Sequence, residues 1–203
     1  MTDPLLKYRE QHKHRLNYMP WLYWSLKPKH REWAEQWQAE YQAYLMEMET
    51  VEIGKNCFIS PLAHIFAERG RKISIGDNTF IAADCTLHGP LQIGSEVAIN
   101  HHCILDGGRA GIKLHDQVRI AAYSHLYAFD HGMDLERPIY QQAVTSKGIE
   151  IGLDVWLGAN VGIKDGVTIG DHAVIGMNSM VTKNIEKYAI VAGNPARLIR
   201  YRK

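Results

Sequence analysis

The sequence predicts an all-β fold, a triangular parallel β-helix, on three observations. An aliphatic residue returns every sixth position through most of the chain, a small or β-branched residue stands four places after most of these, and the beat fails at length only over residues 127–148 before resuming at Ile151. A period of six fits no helical face and is three times the strand period of two, so the chain must be making short strands separated by turns. Such self-similarity decides the architecture before any single element is placed.

The repeat begins with Ile53, Ile59 and Ile65 and becomes strict at Ile75, Ile81, Leu87, Ile93, Ile99 and Leu105. It continues through Leu114, Ile120 and Leu126, then through Ile151, Leu157, Ile163, Ile169, Ile175 and Val181. The small partners are Thr79, Cys85, Val97, Cys103, Val118, Ser124, Val155, Val161, Val167, Ala173 and Ser179. Three strands and three turns make a coil of 18 residues, and stacked coils place like residues in columns about 4.8 Å apart. Both sets are expected to point inward. Gly, Asp and Asn, as in "IGDNTF" and "IGDHAV", are expected at the corners, where positive φ or local side-chain bonding is wanted. One coil cannot bury its own interior, whereas about six can, which assigns residues 51–186 to the body. The general preference for right-handed crossovers predicts a right-handed coil.

Cys57, Cys85 and Cys103 are odd in number, form no CxxC and fall on the small inward position. They read as core packing, not as a disulfide framework or zinc ribbon. At 203 residues, with 46% hydrophobic and 22% charged residues, the chain has room for one sizeable domain and a small appendage. A net charge of +1 gives no argument for nucleic acid. The opening "MTDPLLKYREQHKH" lacks the layout of a signal peptide, and no run reaches the roughly twenty apolar residues of a membrane span, so a cytoplasmic location is expected.

Two flanks lie outside the repeat. Residues 1–50 are expected to be helical: Trp33, Trp37, Tyr41, Tyr44, Leu45 and Met48 recur three or four apart on one face, suited to packing on the β-helix or a neighbouring chain. Residues 1–31 mix aromatics with seven Lys/Arg against two acids. That is either a peripheral membrane contact or solvated charge beside a buried aromatic cluster. Residues 187–203 turn on Gly193 and Pro195 and carry Arg197, Arg200, Arg202 and Lys203. They form a solvated cap or a phosphate site.

The filled, flat walls of a solenoid are a poor place for chemistry, whereas a loop thrown out of a rigid wall can make a cleft. The excursion 127–148 gathers Asp130, His131, Asp134, Glu136 and Arg137. His131 is the functional candidate by position, while His12, His30, His64 and His172 read as surface or packing residues.

The stretch from "IGLDVWLGANVGIKDGVTIGDHAVIG" to "MVTK" and "GNPARLI", preceded by a loop with a central histidine, resembles the hexapeptide-repeat acyltransferases. The resemblance spans about residues 51–200. It is greatest to the galactoside and maltose O-acetyltransferase branch and the acetyltransferases of bacterial envelope polysaccharides. It implies a left-handed coil, against the right-handed default, and a homotrimer binding acetyl-coenzyme A between subunits, the loop of one reaching over its neighbour. The implied reaction is transfer of acetyl to a hydroxyl of a sugar or glycan precursor. By the same resemblance His131 is the general base, a task suited to imidazole with its reference pKa near 6.5. The backbone N–H of Ala159 is the oxyanion donor. Asn100 contacts the acceptor, and Asp134 is a second candidate there. Trp156, Met177, Thr182, Lys183, Arg197 and Arg200 line the coenzyme, where basic groups suit phosphate. Met177 replaces a smaller residue common in the family. Asp130, Asp134 or a backbone carbonyl is left to orient the second ring nitrogen of His131.

Three rival readings stand beside this one. N-acetylation of an amino sugar would use the same groups. A non-catalytic scaffold would leave the loop and the terminal basic residues without a task. A gamma-class carbonic anhydrase would need three histidines at a subunit interface. His88, His101, His102, His115 and His125 raise that idea, but their spacing opposes it, and no metal site is expected.

Overall fold

In the computed structural model, which describes residues 4–203, the period of six becomes six coils whose strands fall into three walls. Wall A holds Val51–Ile53, Ile73–Ile75, Leu91–Ile93, Ile112–Leu114, Ile149–Ile151 and Thr168–Ile169. Wall B holds Phe58–Ile59, Phe80–Ile81, Ala98–Ile99, Arg119–Ile120, Trp156–Leu157 and Val174–Ile175. Wall C holds His64–Phe66, Thr86–His88, Ile104–Asp106, His125–Tyr127, Gly162–Ile163 and Met180–Val181. Ala189–Ala192 adds a parallel strand to wall B, and Arg197–Tyr201 turns back antiparallel upon it.

Parallel pairing is in register throughout, so each hexad aliphatic sits on the one below. In wall B the column runs Ile59, Ile81, Ile99, Ile120, Leu157, Ile175, and all six are wholly buried. Full burial of one such side chain contributes about 1.5–3 kcal/mol. The small partners, from Thr79 to Ser179, are buried as well. The three cysteines are free and buried.

The corners depart from expectation in one respect. Positive φ, between +52° and +65°, belongs to Asn56, Asn78, Asp84, His102, Asp154, Asn160, Asn178 and other non-glycine residues just before the small inward position. The glycines directly after the aliphatics serve close approach instead. A Cβ on Gly76 would lie 2.6 Å from the carbonyl carbon of Gly94 and the nitrogen of Ser95 in the next coil. The aspartate two places after the aliphatic works between coils too: the Asp77, Asp116 and Asp171 carboxylates accept from the N–H groups of Lys55, Ser95 and Leu153 at 2.7, 2.8 and 2.8 Å.

Ahead of the coils lie α1 (Pro4–Tyr18), a 3-10 turn (Pro20–Ser25) and α2 (Pro28–Met48); residues 1–3 of this segment are outside the described residues. Leu16, Tyr23 and Ala34 pack on the outward residues Phe58, Phe80 and Ala98 of wall B, with Trp24, Trp33 and Trp37 beside them. Leu45 joins the solenoid core and Tyr41 packs against it, so α2 also covers the open first coil. Buried Gln38 fixes the helix: its amide donates to the Ile59 carbonyl at 3.1 Å and accepts from the Ile59 N–H at 2.8 Å. Tyr44 and Met48 are 57% and 63% exposed and are not part of the packed stripe. The contact face follows Trp37, Gln38, Tyr41 and Leu45, and a polar residue holds a place that apolar periodicity would not assign. No described helix is long and apolar enough to cross a membrane.

Gly76→Ala should lower stability by about 2 kcal/mol or more, since the clash is with backbone. Gly70→Ala, at φ +87° with nothing within 4 Å of the added Cβ, should cost only the backbone strain of about 1–2 kcal/mol. Urea unfolding midpoints of the two variants test the distinction.

Candidate active site

The long excursion leaves wall C at Tyr127 and returns to wall A at Ile149. Strand alternation persists for its first residues. Ala128 points into the core, wholly buried, while Tyr127, Phe129 and His131 fall on the other side. Tyr127 and Phe129 meet edge-on at 5.8 Å, and Phe129 and His131 at 6.3 Å. Asp130–His131 then pairs antiparallel with Val144–Thr145, so His131 is carried on a hairpin.

Polar anchors hold the hairpin base. The Ser146 hydroxyl accepts from the N–H groups of Arg109 and Ala110 at 3.0 and 2.9 Å and donates to the Ala128 carbonyl at 2.5 Å. The buried Asp165 carboxylate accepts from the Lys147 and Gly148 N–H groups, both at 2.9 Å. Lys164 reaches Asp130 at 2.6 Å. Further out, Gln142 accepts from the Asp134 N–H at 2.8 Å and donates to the carbonyls of Asp134 and Arg137 at 2.8 and 2.7 Å.

The His131 ring is exposed, and among the described residues no hydrogen bond holds either of its nitrogens. Asp130 is occupied by Lys164, and the bonds formed by Asp134 are backbone bonds to Gln142. Neither acid orients the ring within this chain.

The other predicted residues lie elsewhere. Ala159 sits in the turn from wall B to wall C of the fifth coil, its carbonyl accepting from Asn178 at 2.9 Å; its own N–H has no partner among the described residues. Asn100 occupies the same corner two coils earlier and donates to the Ile120 carbonyl at 2.9 Å. Met177 is on that corner one coil later, 64% exposed, and Trp156 stands out from wall B at 54%. Thr182 and Lys183 follow the last wall C strand, and Arg197 and Arg200 project from the terminal strand. All four are exposed, and among the described residues neither arginine nor Lys183 has a carboxylate partner. Thus His131 is at the corner between walls C and A, whereas Ala159, Asn100 and Met177 are at the corner between walls B and C. Asp134 goes with the hairpin.

A cluster beside Asn100 is one that sequence reasoning misses as a unit. His102 stacks on Tyr123 at 4.9 Å and lies 3.6 Å from Asp84, while His101 meets Tyr123, His102 and Tyr18 edge-on. His101 Nδ1 is buried without a partner. Burial, and then the neighbouring His102, push the His101 imidazole below its ordinary value, which favours the neutral ring. The available signal is the doubled histidine after Asn100, which suggests only metal binding when read along the chain. The remaining histidines are dispersed: His88 lies between Asp106 and Glu68, and His115 bonds Glu150 at 2.8 Å. Among the described residues no group of three or more His, Cys, Asp or Glu side chains could hold a metal ion.

Comparison with known proteins agrees with this architecture. Residues 148–183 match the family described as bacterial transferase hexapeptide (six repeats). The galactoside O-acetyltransferase of Escherichia coli strain K12 is 30% identical over 165 residues, covering 80% of this chain and 70% of that protein. The chain belongs to the hexapeptide-repeat acyltransferases. A solved structure of a mutant of AntD, an N-acyltransferase from Bacillus cereus in complex with dTDP and coenzyme A, is 31% identical with a TM-score of 0.72, covering 80% of this chain and 90% of that one. A probable acetyltransferase of Mycobacterium tuberculosis is 32% identical over 136 residues, 66% of this chain, and the chain spans 44% of its length.

Asp165→Ala would strip two backbone N–H groups of their acceptor, at a local cost of about 2 kcal/mol. Amide exchange across residues 128–148 should accelerate while the wall B strands keep their protection. Unchanged exchange in the hairpin would show that Asp165 does not anchor it.

Proposed function

We propose that this acyltransferase moves acetyl from acetyl-coenzyme A to a hydroxyl of a sugar or glycan precursor, in the cytoplasm, at a seam between two copies of the chain in a homotrimer. The observation that carries this reading is the division of parts. An exposed imidazole on a braced hairpin and an unpartnered N–H in a rigid turn stand at different corners of one prism, so a second copy is needed to bring them together.

In the proposed reaction the neutral His131 ring accepts the acceptor's hydroxyl proton as that oxygen attacks the thioester carbonyl carbon. The carbonyl oxygen becomes an oxyanion, and the Ala159 N–H, fixed by the coil and requiring no reorganisation, donates to it. The C–S bond then breaks, and the imidazolium returns the proton to the departing thiolate. Lys183, Arg197 and Arg200 receive the coenzyme's phosphates, with Trp156, Met177 and Thr182 along its arm. Asn100 and Asp134 contact the acceptor. The exposed Leu5, Leu6 and Tyr8, beside the basic residues of α1, support a peripheral membrane contact during work on a lipid-borne precursor. A second reading, N-acetylation of an amino sugar, is favoured by the likeness to an N-acyltransferase and needs the same base and donor.

His131→Ala should lower acetyl transfer by about 10²-fold or more with coenzyme A binding intact. Turnover near that of the unaltered protein would remove His131 from the mechanism. Co-assembling His131→Ala with Ala159→Pro, which lacks the N–H, should restore activity that neither has alone; no recovery would argue against a site shared between copies. Arg200→Ala should raise the KM for acetyl-coenzyme A by about 10-fold, as for loss of one charge-assisted bond of roughly 1.5–3 kcal/mol.

A further inference from the structure

Charge is unevenly shared along this chain. Residues 1–31 carry seven Lys/Arg against two acids, whereas the rest of the chain carries sixteen against twenty. The cationic excess therefore sits on one short segment, and the body behind it is acidic.

Part of that excess lines a concave site. Between α1, the 3-10 turn and the start of α2 lies a pocket of about 370 Å³, within the range of small-ligand sites. Leu16, Leu22 and Leu26 give it apolar walls, and His12, Arg15, Lys27, Lys29 and His30 supply its charge. Among the described residues no Asp or Glu lines it.

Three other cations of the segment are already engaged. Arg9 lies 5.7 Å over the Trp33 ring, and Lys13 lies 5.5 Å over Trp37 while pairing with Glu10 at 3.0 Å. Arg31 donates to the Trp24 carbonyl at 2.8 Å and reaches Glu35 at 3.9 Å. Arg15, Lys27 and Lys29 have no carboxylate partner among the described residues. The His12 and His30 rings meet at 4.5 Å. Burial, and then His30, Arg15 and Lys29, push the His12 imidazole below its ordinary value. The pocket thus opposes further positive charge, and an anion would relieve it.

The rest of α1 decides which anion. Leu5 and Tyr8 each stand seven residues before His12 and Arg15, so the face that enters the pocket continues along the helix as an apolar one. Leu5, Leu6 and Tyr8 are 76%, 53% and 59% exposed. Basic side chains beside exposed apolar ones suit a headgroup layer, with the cations level with the phosphates and the apolar groups below them. A free phosphate would leave those three side chains in water.

We infer that this pocket takes the phosphate of an anionic phospholipid among Arg15, Lys27 and Lys29, while Leu5, Leu6 and Tyr8 enter the acyl boundary. α1 is then the edge of the molecule that faces the bilayer. This rests on the peripheral contact stated above and gives it residues and a lipid chemistry; acyl transfer does not depend on it.

The test uses the full chain and co-sedimentation with two vesicle types, phosphatidylcholine alone and phosphatidylcholine mixed with phosphatidylglycerol in equal parts. The chain should bind the mixed vesicles, less so as salt rises, and leave pure phosphatidylcholine in suspension. Arg15→Gln combined with Lys29→Gln should weaken binding to the mixed vesicles by about 10-fold or more, and Leu5→Ser by about fivefold. Coenzyme A binding should be unchanged in both. All three side chains are exposed, so the fold should tolerate these changes. Equal binding to the two vesicle types, or none to either, would overturn the inference while leaving acyl transfer standing. Mixed vesicles bound as well by the variants would overturn this pocket and keep a membrane contact elsewhere. Displacement by glycerol 3-phosphate at concentrations comparable to the lipid would overturn it in favour of a soluble anion. A change of oligomer size in the Arg15→Gln, Lys29→Gln variant would overturn it too, by making the pocket a contact between copies.

Discussion

In-register stacking of one coil on the next governs this molecule. Each inward aliphatic rests on its counterpart, and corner glycines such as Gly76 and Gly94 admit the backbone of the following coil where a Cβ would lie within 3 Å of it. Because these columns hold from the first coil to the sixth, extra residues have no place inside. They must leave at a corner. The hairpin bearing His131 is such an export, and wall C resumes its column across it, Leu126 pairing with Ile163 as though nothing intervened.

That constraint also divides the labour of the site. A coil corner is rigid on the scale of its neighbours and offers backbone N–H groups whose direction is set by the stacking, as at Ala159. It cannot easily place a long polar side chain over its own wall, because the outward surface is flat. The hairpin can, and its base is tied by Ser146 and Asp165 so that its reach is directed. Preorganised donor and positioned base come from different structural devices, and the proposed reaction needs both. Their placement at different corners follows from where the repeat breaks, after a wall C strand, so the proposed sharing of the site between copies would be a consequence of topology.

Much of the body was legible because burial and period are the same fact in a solenoid: Ile, Leu and Val at one phase, Thr, Cys, Ser and Ala at another, all inward. The corners were legible only in part. Glycine suggested positive φ, but the stacking distance, which a single coil does not contain, makes glycine the residue of close approach and leaves the left-handed conformation to Asn, Asp and even Tyr123. In the N-terminal helix the apolar stripe located α2, yet Gln38 at its centre satisfies two wall B backbone groups, a role that hydrophobic periodicity cannot register. His131 stood out by position. Asp165 and Ser146 did not, since their partners lie 17 or more residues away, and the His101–His102–Tyr123 cluster exists only once successive coils are superposed.

The helical segment then has a definite place in this logic. A solenoid must close its first coil against water, and α2 does so with Leu45 and Tyr41. Closing the end requires nothing on the outside of wall B, however, and the chain still lays a 3-10 turn and α1 along that face, where the aromatic residues of both partners interlock. The arrangement costs ordering entropy, which the burial of Leu16, Tyr23 and Phe58 offsets.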